Sequence, residues 1–170
     1  AIDLVHGLED PVVRKQAERV LDYLIPIVKA WNTDNGVLLT NLAMQVYGGM
    51  GYVEETGVSQ YVRDVRITQI YEGTNGVQAL DLIGRKTAAN GGAVPLALLA
   101  EGKEIAQTLA AAAPDLAASL LQAIAAAEQS MADIVAQMGE QPALAAAASN
   151  AYLQQMACTL GAIALARGWL

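Results

Sequence analysis

The spacing of apolar and polar positions predicts helices along nearly the whole chain. Asp10 and Pro11 suit a helix start, since Asp caps free N–H groups and proline is tolerated at the first helical position. Apolar residues then recur at three- and four-residue intervals as far as Ile27. Pro26 lacks an N–H donor, so it is expected to kink this helix or to open a new one. The following helix is predicted from about Ile27 to Tyr47.

The rest of the chain is also predicted to be helical. Short helices are expected over 57–64 and 74–87, with a loop at 52–56 and a connector at 65–71. A Gly pair and a proline make 89–95 linker-like. Three Ala-rich helices are predicted beyond it, at about 96–112, 115–138 and 142–170. No stretch alternates with period two. The sequence therefore predicts an all-α protein: a helical bundle over 1–88, a linker at 89–95, and a three-helix extension over 96–170.

Composition and charge exclude several functions. Hydrophobic residues make up 54% of the chain but aromatic residues only 5%, which suits closely packed helices. The net charge is −7 and a basic stripe is missing, which argues against a nucleic-acid partner. The Ala-rich stretches are interrupted before reaching the ~18 apolar residues of a membrane span. No targeting segment is evident, so a soluble, cytoplasmic protein is expected.

The single histidine and the single cysteine carry little chemistry. Cys158 has no partner for an intrachain disulfide. It is expected to be buried filler on an apolar helix face, beside Met156 and Leu160. His6 lies far from it in sequence, so no metal site is predicted.

The stretch Tyr71-Glu72-Gly73-Thr74-Asn75-Gly76 is the most informative. The Glu72 carboxylate is either a helix-terminal charge, stabilised by ~0.3–1 kcal/mol through the helix dipole, or a general base. The residues alone favour the first interpretation. Thr74 alone suggests an N-cap. Likewise, Gln45 with Gly48 and Gly49 suggests the end of a helix, with Gly48 at the left-handed position that follows it.

A longer pattern resolves these alternatives. From Gln45 to Lys86 the chain reads QVYGGMGYVEETGVSQYVRDVRITQIYEGTNGVQALDLIGRK. This combination of Q-x-x-G-G-x-G, R-D-x-R-I and I-Y-E-G-T resembles the C-terminal helical domain of the acyl-CoA dehydrogenases, flavoproteins that desaturate acyl-CoA thioesters between Cα and Cβ. The resemblance covers residues 11–87 strongly and 96–170 loosely, where a subset of the family has a helical extension. It also implies that Asp34-Asn35-Gly36, a turn by local propensity, lies within a helix.

The resemblance implies a role for each residue of the motif. Glu72 would remove the α-proton while the β-hydrogen leaves as hydride to flavin N5, and Gly73 would leave room for the thioester. Gln45, Gly48 and Gly49 would contact the adenine-dinucleotide end of FAD, usually that of a neighbouring subunit. Thr74 and Asn75 would line the flavin side of the site. Many relatives have Ser-Gln where this chain has Asn-Gly, so a contact from that Gln is missing.

The resemblance also implies partners: an acyl-CoA substrate, FAD, a homo-oligomeric assembly (dimer or tetramer) and an acceptor such as an electron-transfer flavoprotein. Complete family members have an N-terminal helical domain and a middle β-domain, which this chain cannot supply. We therefore expect the C-terminal portion of such an enzyme, inactive in isolation. The alternatives are a non-catalytic helical interaction module and an acyl-CoA oxidase.

Two local expectations remain. The extension is expected to pack on the main helical domain or to form a subunit interface. Arg63, Asp64 and Arg66 are expected to form a structural ion-pair cluster that orients the loop before Glu72, rather than an anion clamp, and exposed pairs of this kind add only ~0–1 kcal/mol each.

Overall fold

A computed structural model of the chain describes residues 9–88 and 91–170, together with Val5 and Gly7. The α-helices within these ranges are α1 (Pro11–Val46), α2 (Gly49–Tyr52), α3 (Val58–Arg66), α4 (Asn75–Asp81), α5 (Ala93–Leu109), α6 (Pro114–Glu140) and α7 (Pro142–Trp169). Two 3₁₀ turns, Glu54–Thr56 and Ile67–Gln69, flank α3, and α4 continues as a π-helical segment, Leu82–Thr87. The described residues contain no strand, so the all-α prediction is confirmed.

Helix α1 begins as predicted and then runs without a break. The Asp10 carboxylate accepts a hydrogen bond of 2.8 Å from the Val12 N–H, and Pro11 opens the helix. The helix continues through Pro26, so the prediction of a new helix there is wrong. A proline inside a helix costs ~3 kcal/mol. The cost is offset because α1 buries this segment in the core, through Tyr23, Pro26, Ile27 and Ala30.

The turn-like triplet Asp34-Asn35-Gly36 lies inside α1, as the resemblance implied. The Asn35 side chain donates to the Trp31 carbonyl at 2.8 Å, within the same helix. A Cβ on Gly36 would lie 2.9 Å from Val65 Cγ2, so the glycine allows α3 to approach closely. Tertiary packing overrides local propensity here.

The segment after α1 is more helical than predicted. Gly48 follows the end of α1 with a φ of +58° and a ψ of −144°, so it has a positive φ that favours glycine but not the left-handed helical conformation expected of it. The predicted loop at 52–56 is wrong, since α2 and a 3₁₀ turn occupy this part of the chain. Gly51 is buried in α2, where a Cβ would overlap the Met44 carbonyl oxygen.

One hydrophobic core joins the first part of the chain to the extension. It contains Tyr23, Ile27, Leu82 and Ile83 together with residues of α5, α6 and α7, among them Leu99, Ile124, Leu153 and Met156. A buried hydroxyl cluster crosses the same boundary: Tyr23 Oη lies 3.3 Å from Tyr152 Oη, which lies 3.4 Å from Thr87 Oγ1. The extension therefore packs on the main helical bundle, one of the two arrangements expected.

The boundary between the two parts is short. Residues 89 and 90 of the predicted linker lie outside the described residues, and α5 already begins at Ala93. Gly92 has a φ of +78°, and a Cβ there would lie 2.7 Å from Met131 Sδ. The division into domains at 89–95 stays a prediction.

Cys158 is exposed, so its expected role as buried filler is wrong. Its neighbours Met156, Ala157 and Thr159 occupy the core side of α7, which leaves Cys158 on the outer side. His6, the other residue considered for a metal, lies outside the described residues. Over the ranges that the structure describes, no helix is long and apolar enough to cross a membrane.

Candidate active site

Glu72 lies in a short connector between the 3₁₀ turn Ile67–Gln69 and α4. The connector comprises residues 70–74 rather than the predicted 65–71. Its φ is +55°, and among the described residues it is the only non-glycine with a positive φ. For a residue with a side chain, this conformation costs ~1–2 kcal/mol. Gly73 follows with a φ of +83°. Two successive left-handed residues form a sharp turn, which surrounding contacts have to hold in place.

Hydrogen bonds hold both carbonyl groups of this turn. Gln78 Nε2 donates to the Glu72 carbonyl at 3.0 Å, and Lys29 Nζ donates to the Gly73 carbonyl at 2.8 Å. A Cβ on residue 73 would lie 3.1 Å from Gln78 Nε2, so glycine suits both the backbone angle and the available space. The hydrogen bonds to these two carbonyl oxygens therefore hold the turn in place.

The functional groups of Glu72 remain free. The residue is exposed, and its carboxylate forms no hydrogen bond or ion pair with any described residue. Its N–H likewise donates to no acceptor in the described part of the chain. A carboxylate and an adjacent backbone donor are therefore both available to a ligand.

Asp34 fixes the connector from both ends. Its Oδ1 accepts from Gln69 Nε2 at 2.6 Å, just before the connector, and from Asn75 Nδ2 at 2.7 Å, just after it. Lys29 Nζ also donates to Asn75 Oδ1, at 2.7 Å. Bonds that involve a charged partner are stronger than neutral ones, so α1 forms a rigid base beneath the Glu72 turn.

Thr74 and Asn75 face different surroundings. Thr74 caps α4, and its Oγ1 accepts from the Val77 N–H at 3.3 Å, as the residue alone suggested. The Asn75 amide points towards α1 and bonds to Lys29 and Asp34. The flavin contacts implied for Thr74 and Asn75 stay predictions, and the structure gives each of them a structural role as well.

The expected ion-pair cluster at Arg63, Asp64 and Arg66 has a different composition. Arg63 pairs with Glu54, at 2.8 and 3.0 Å, and Asp64 has no partner among the described residues. Arg66 donates to Gln69 Oε1 at 2.6 Å. The prediction that Arg63, Asp64 and Arg66 form an ion-pair cluster is therefore wrong. Arg66 nevertheless supports the chain before the connector, because Gln69 bonds in turn to Asp34.

Five apolar side chains lie shortly before, within or shortly after the connector in the sequence, and each is about half exposed. Val77 and Leu80, which lie on α4, belong to this set rather than to the core. Exposed apolar surface of this extent marks a binding or interaction region. The set comprises Ile67, Ile70, Tyr71, Val77 and Leu80.

Gln45, Gly48 and Gly49 form a second candidate region, around the end of α1. All three are exposed, and a Cβ on either glycine would have no neighbour within 4 Å. Gln45 and Gly48 line a surface cavity of about 460 Å³ with Leu38, Asn41, Leu42, Met44 and Tyr52. The Gln45 amide has no partner in the described part of the chain. Free polar groups beside an open glycine turn fit a contact to the adenine-dinucleotide part of FAD.

The structure does not bring the two candidate regions together. Lys29, which supports the Glu72 turn, and Gln45 lie on the same helix, sixteen residues apart. At 1.5 Å per residue they are separated by roughly 24 Å. The two regions are therefore separate from each other on the surface of the chain.

The residues that hold the turn, Lys29, Asp34, Gln69 and Gln78, were missed from the sequence. Asp34 was correctly expected inside a helix, but its local sequence did not indicate which side chains it would bond. The four-residue spacing of Lys29 and Thr33 was an available signal, since it places two polar side chains on one helix face. Nothing in the sequence showed what that face contacts.

Comparison with known proteins supports the resemblance. The family model for "Acyl-CoA dehydrogenase, C-terminal domain" matches residues 10–87. The chain is 38% identical over 151 residues to a 3-methylmercaptopropionyl-CoA dehydrogenase of Ruegeria pomeroyi, covering 87% of this chain and 25% of that protein. That alignment extends well into the Ala-rich part.

Two further relatives carry similar names. A butyryl-CoA dehydrogenase of Syntrophomonas wolfei is 37% identical over 90 residues, which cover 53% of this chain and 15% of that protein. A short-chain specific mitochondrial acyl-CoA dehydrogenase of Bos taurus is 52% identical over 46 residues, or 27% of this chain and 11% of that protein. The chain thus spans a quarter or less of each of these three relatives.

Proposed function

Because residues 10–87 belong to the C-terminal domain family of the acyl-CoA dehydrogenases, we propose that this chain is the C-terminal part of an FAD-dependent acyl-CoA dehydrogenase. Glu72 is the base that removes the α-proton of an acyl-CoA thioester, and the product is the 2,3-enoyl-CoA. One observation carries the proposal: the Glu72 carboxylate is exposed and has no partner among the described residues, on a turn of positive φ held by hydrogen bonds.

The geometry suits proton removal from carbon. A general base has to approach the C–H bond directly, and a carboxylate already engaged in an ion pair is less available for this step. The surrounding apolar side chains Ile70, Tyr71 and Val77 would exclude water once substrate and the remaining domains cover them. The base then acts in a dry site.

The backbone of the turn adds an electrophilic contact. With both carbonyls bonded on the protein side, the Glu72 N–H is available to donate to the thioester carbonyl oxygen. Such a bond strengthens as negative charge develops on that oxygen during α-proton removal. Gly73 leaves space for the thioester, since a side chain is missing at that point of the turn.

Five residues are proposed to contact FAD. Gln45, Gly48 and Gly49 would hold the adenine-dinucleotide end of the FAD of a neighbouring subunit, and Thr74 and Asn75 would lie on the flavin side of the Glu72 site. FAD, when bound, supplies the acceptor for the β-hydride. A homo-oligomer follows from the contact between subunits, and an electron-transfer flavoprotein is the proposed acceptor of the electrons.

The chain is proposed to be inactive by itself, because it spans about a quarter of the Ruegeria pomeroyi relative. The 170-residue chain should purify without flavin and should not oxidise acyl-CoA. A yellow protein with the absorbance of bound flavin would contradict this expectation.

Substitution of Glu72 tests the proposal. In the intact enzyme, Glu72→Gln should lower kcat by ~10²–10⁴, the usual contribution of a general base, while flavin stays bound. Glu55→Gln is the matched control, since Glu55 is also exposed and has no partner among the described residues. Normal turnover in Glu72→Gln would assign the role of base to another carboxylate. If the chain is instead a non-catalytic interaction module, neither substitution should change its self-association or partner binding. In an acyl-CoA oxidase, Glu72→Gln would lower activity in the same way. The unsubstituted oxidase, however, would consume oxygen during turnover.

A further inference from the structure

The Asp34 carboxylate connects the Glu72 turn to the C-terminal extension. Its Oδ1 accepts the bonds from Gln69 and Asn75 on either side of the turn. Its Oδ2 accepts a bond of 3.1 Å from Gln154 Nε2, on α7. One half-buried carboxylate therefore joins three segments of the chain: α1, the ends of the connector, and a helix 120 residues further on.

The bond from Gln154 determines how the carboxylate is oriented. The terminal torsion of an aspartate is soft and roughly two-fold, so a carboxylate held only through Oδ1 rotates readily. With Oδ2 bonded to α7, Oδ1 stays directed at Gln69 and Asn75. The Glu72 turn needs this support, because a left-handed conformation at a non-glycine residue persists only where its surroundings enforce it.

We propose that Asp34 and Gln154 are positioning residues for the Glu72 base, and that the extension takes part in catalysis through Gln154. The catalytic consequence rests on the proposed function of Glu72. The structural part, that α7 orders the Glu72 turn through Asp34, is independent of it.

Exchanging donor and acceptor between the two positions gives a sharp test. Asp34→Asn alone keeps a hydrogen bond, because the Gln154 side-chain amide can turn so that its Oε1 accepts from the new NH₂ group. Gln154→Glu places a carboxylate against the Asp34 carboxylate. The double variant restores a hydrogen bond of reversed polarity and keeps the net charge. Gln155→Glu is the matched control, since Gln155 is the next residue of α7, half-buried, without a partner among the described residues.

The first readout uses the 170-residue chain and needs no activity. Backbone ¹⁵N order parameters of Glu72 and Gly73 should be near the rigid value of about 0.85, and should fall towards about 0.6 in Gln154→Glu. The double variant should recover the rigid value, and Gln155→Glu should leave it unchanged. Gln154→Ala, which only deletes the bond, serves if either single variant fails to fold.

The second readout is turnover of the intact enzyme. A displacement of about 1 Å at a reacting group lowers the rate by up to ~10²-fold. Gln154→Glu should lower kcat by about 5- to 100-fold with little change in KM, and the double variant should recover most of it. A purely structural role would not give this separation of kcat from KM together with recovery in the double variant.

The outcomes separate the two proposals. Unchanged order parameters and unchanged kcat in Gln154→Glu would overturn the positioning role, and so would a double variant as impaired as Gln154→Glu. If the order parameters respond as expected while Glu72→Gln retains normal turnover, the proposed function fails and the link between α7 and the turn stands.

Discussion

Residues 11–88 carry the candidate chemistry, whereas the extension, residues 93–170, supplies most of the core. In α1, 36 residues long, the buried side chains are confined to Tyr23, Pro26, Ile27 and Ala30. In α7, 28 residues long, buried positions continue from Ala145 to Ile163. The first part is therefore held in shape largely by what packs against it, and the extension is the main source of that packing.

The two parts also differ in what they expose. The second half of α1 presents large apolar side chains to solvent: Leu38, Leu39, Leu42 and Val46 are 52–86% exposed. An apolar surface of this kind marks an interaction region. The first part is therefore covered by the extension within this chain, and it leaves a second apolar surface exposed along the latter half of α1.

Removing the extension should have the largest effect. A chain ending at Gly92 would expose the core side chains of the first part, among them Tyr23, Leu82 and Ile83, so it should show no cooperative thermal transition by circular dichroism. Removing only Gly168, Trp169 and Leu170, which are exposed, is the control and should leave the transition nearly intact. A cooperative transition in the shorter chain would show that the first part is self-sufficient.

A pair of leucines tests the difference in burial. Leu153 is 1% exposed and Leu39 is 61% exposed. Leu153→Ala should lower the free energy of unfolding by ~2–5 kcal/mol, because it leaves a cavity in the shared core. Leu39→Ala should change it by less than ~0.5 kcal/mol. Urea unfolding of the 170-residue chain measures both values, and equal losses would contradict the assignment of the core.

A pair of glycines tests the packing of the extension. A Cβ on Gly102 would lie 2.8 Å from Ile163 Cγ1 and 3.1 Å from Ile124 Cδ1, so Gly102→Ala should destabilise by ~1–3 kcal/mol through overpacking. A Cβ on Gly161 would have no neighbour within 4 Å. Gly161→Ala should therefore stabilise by up to ~1 kcal/mol, through helix propensity alone. A Gly102→Ala variant that is as stable as the original chain, or more stable, would show that α5 and α7 are less tightly packed.

The smallest expected effect concerns the hydroxyl cluster between the two parts. Burial raises the pKa of Tyr23 and of Tyr152 above the ordinary value of about 10. Below about pH 10 both hydroxyls are protonated in the folded and unfolded states, and their contribution to stability is fully present. Above it the unfolded chain loses its protons first, so stability should fall by up to ~1.4 kcal/mol per pH unit for each tyrosine.

Tyr23→Phe removes one of the two titrating groups. The stability of this variant should therefore fall less steeply between about pH 10 and 11, as measured by urea unfolding at each pH. An identical pH dependence in the variant and the original chain would mean that Tyr23 is not protected from ionisation by the fold.

Sequence reasoning succeeded where a local pattern was sufficient. The cap at Asp10, the cap at Thr74 and the three helices of the extension follow from residue chemistry and spacing. It failed at Pro26 and at Cys158. At Pro26 the burial of one face outweighs the lost donor, and at Cys158 the contacting face of the helix is set by which neighbours it meets. Local propensity predicts neither how deeply a helix face is buried nor which face contacts the neighbouring helices.

The sequence by itself determined the helical class, the family to which residues 10–87 belong, and the motif that singles out Glu72. These depend on residue types at short, fixed separations. Only the tertiary structure decided that Asp34 binds both ends of the Glu72 turn and that α7 reaches it through Gln154. The reason is that a hydrogen bond between residues 120 positions apart depends on how whole helices pack, and this packing is set by the complete core.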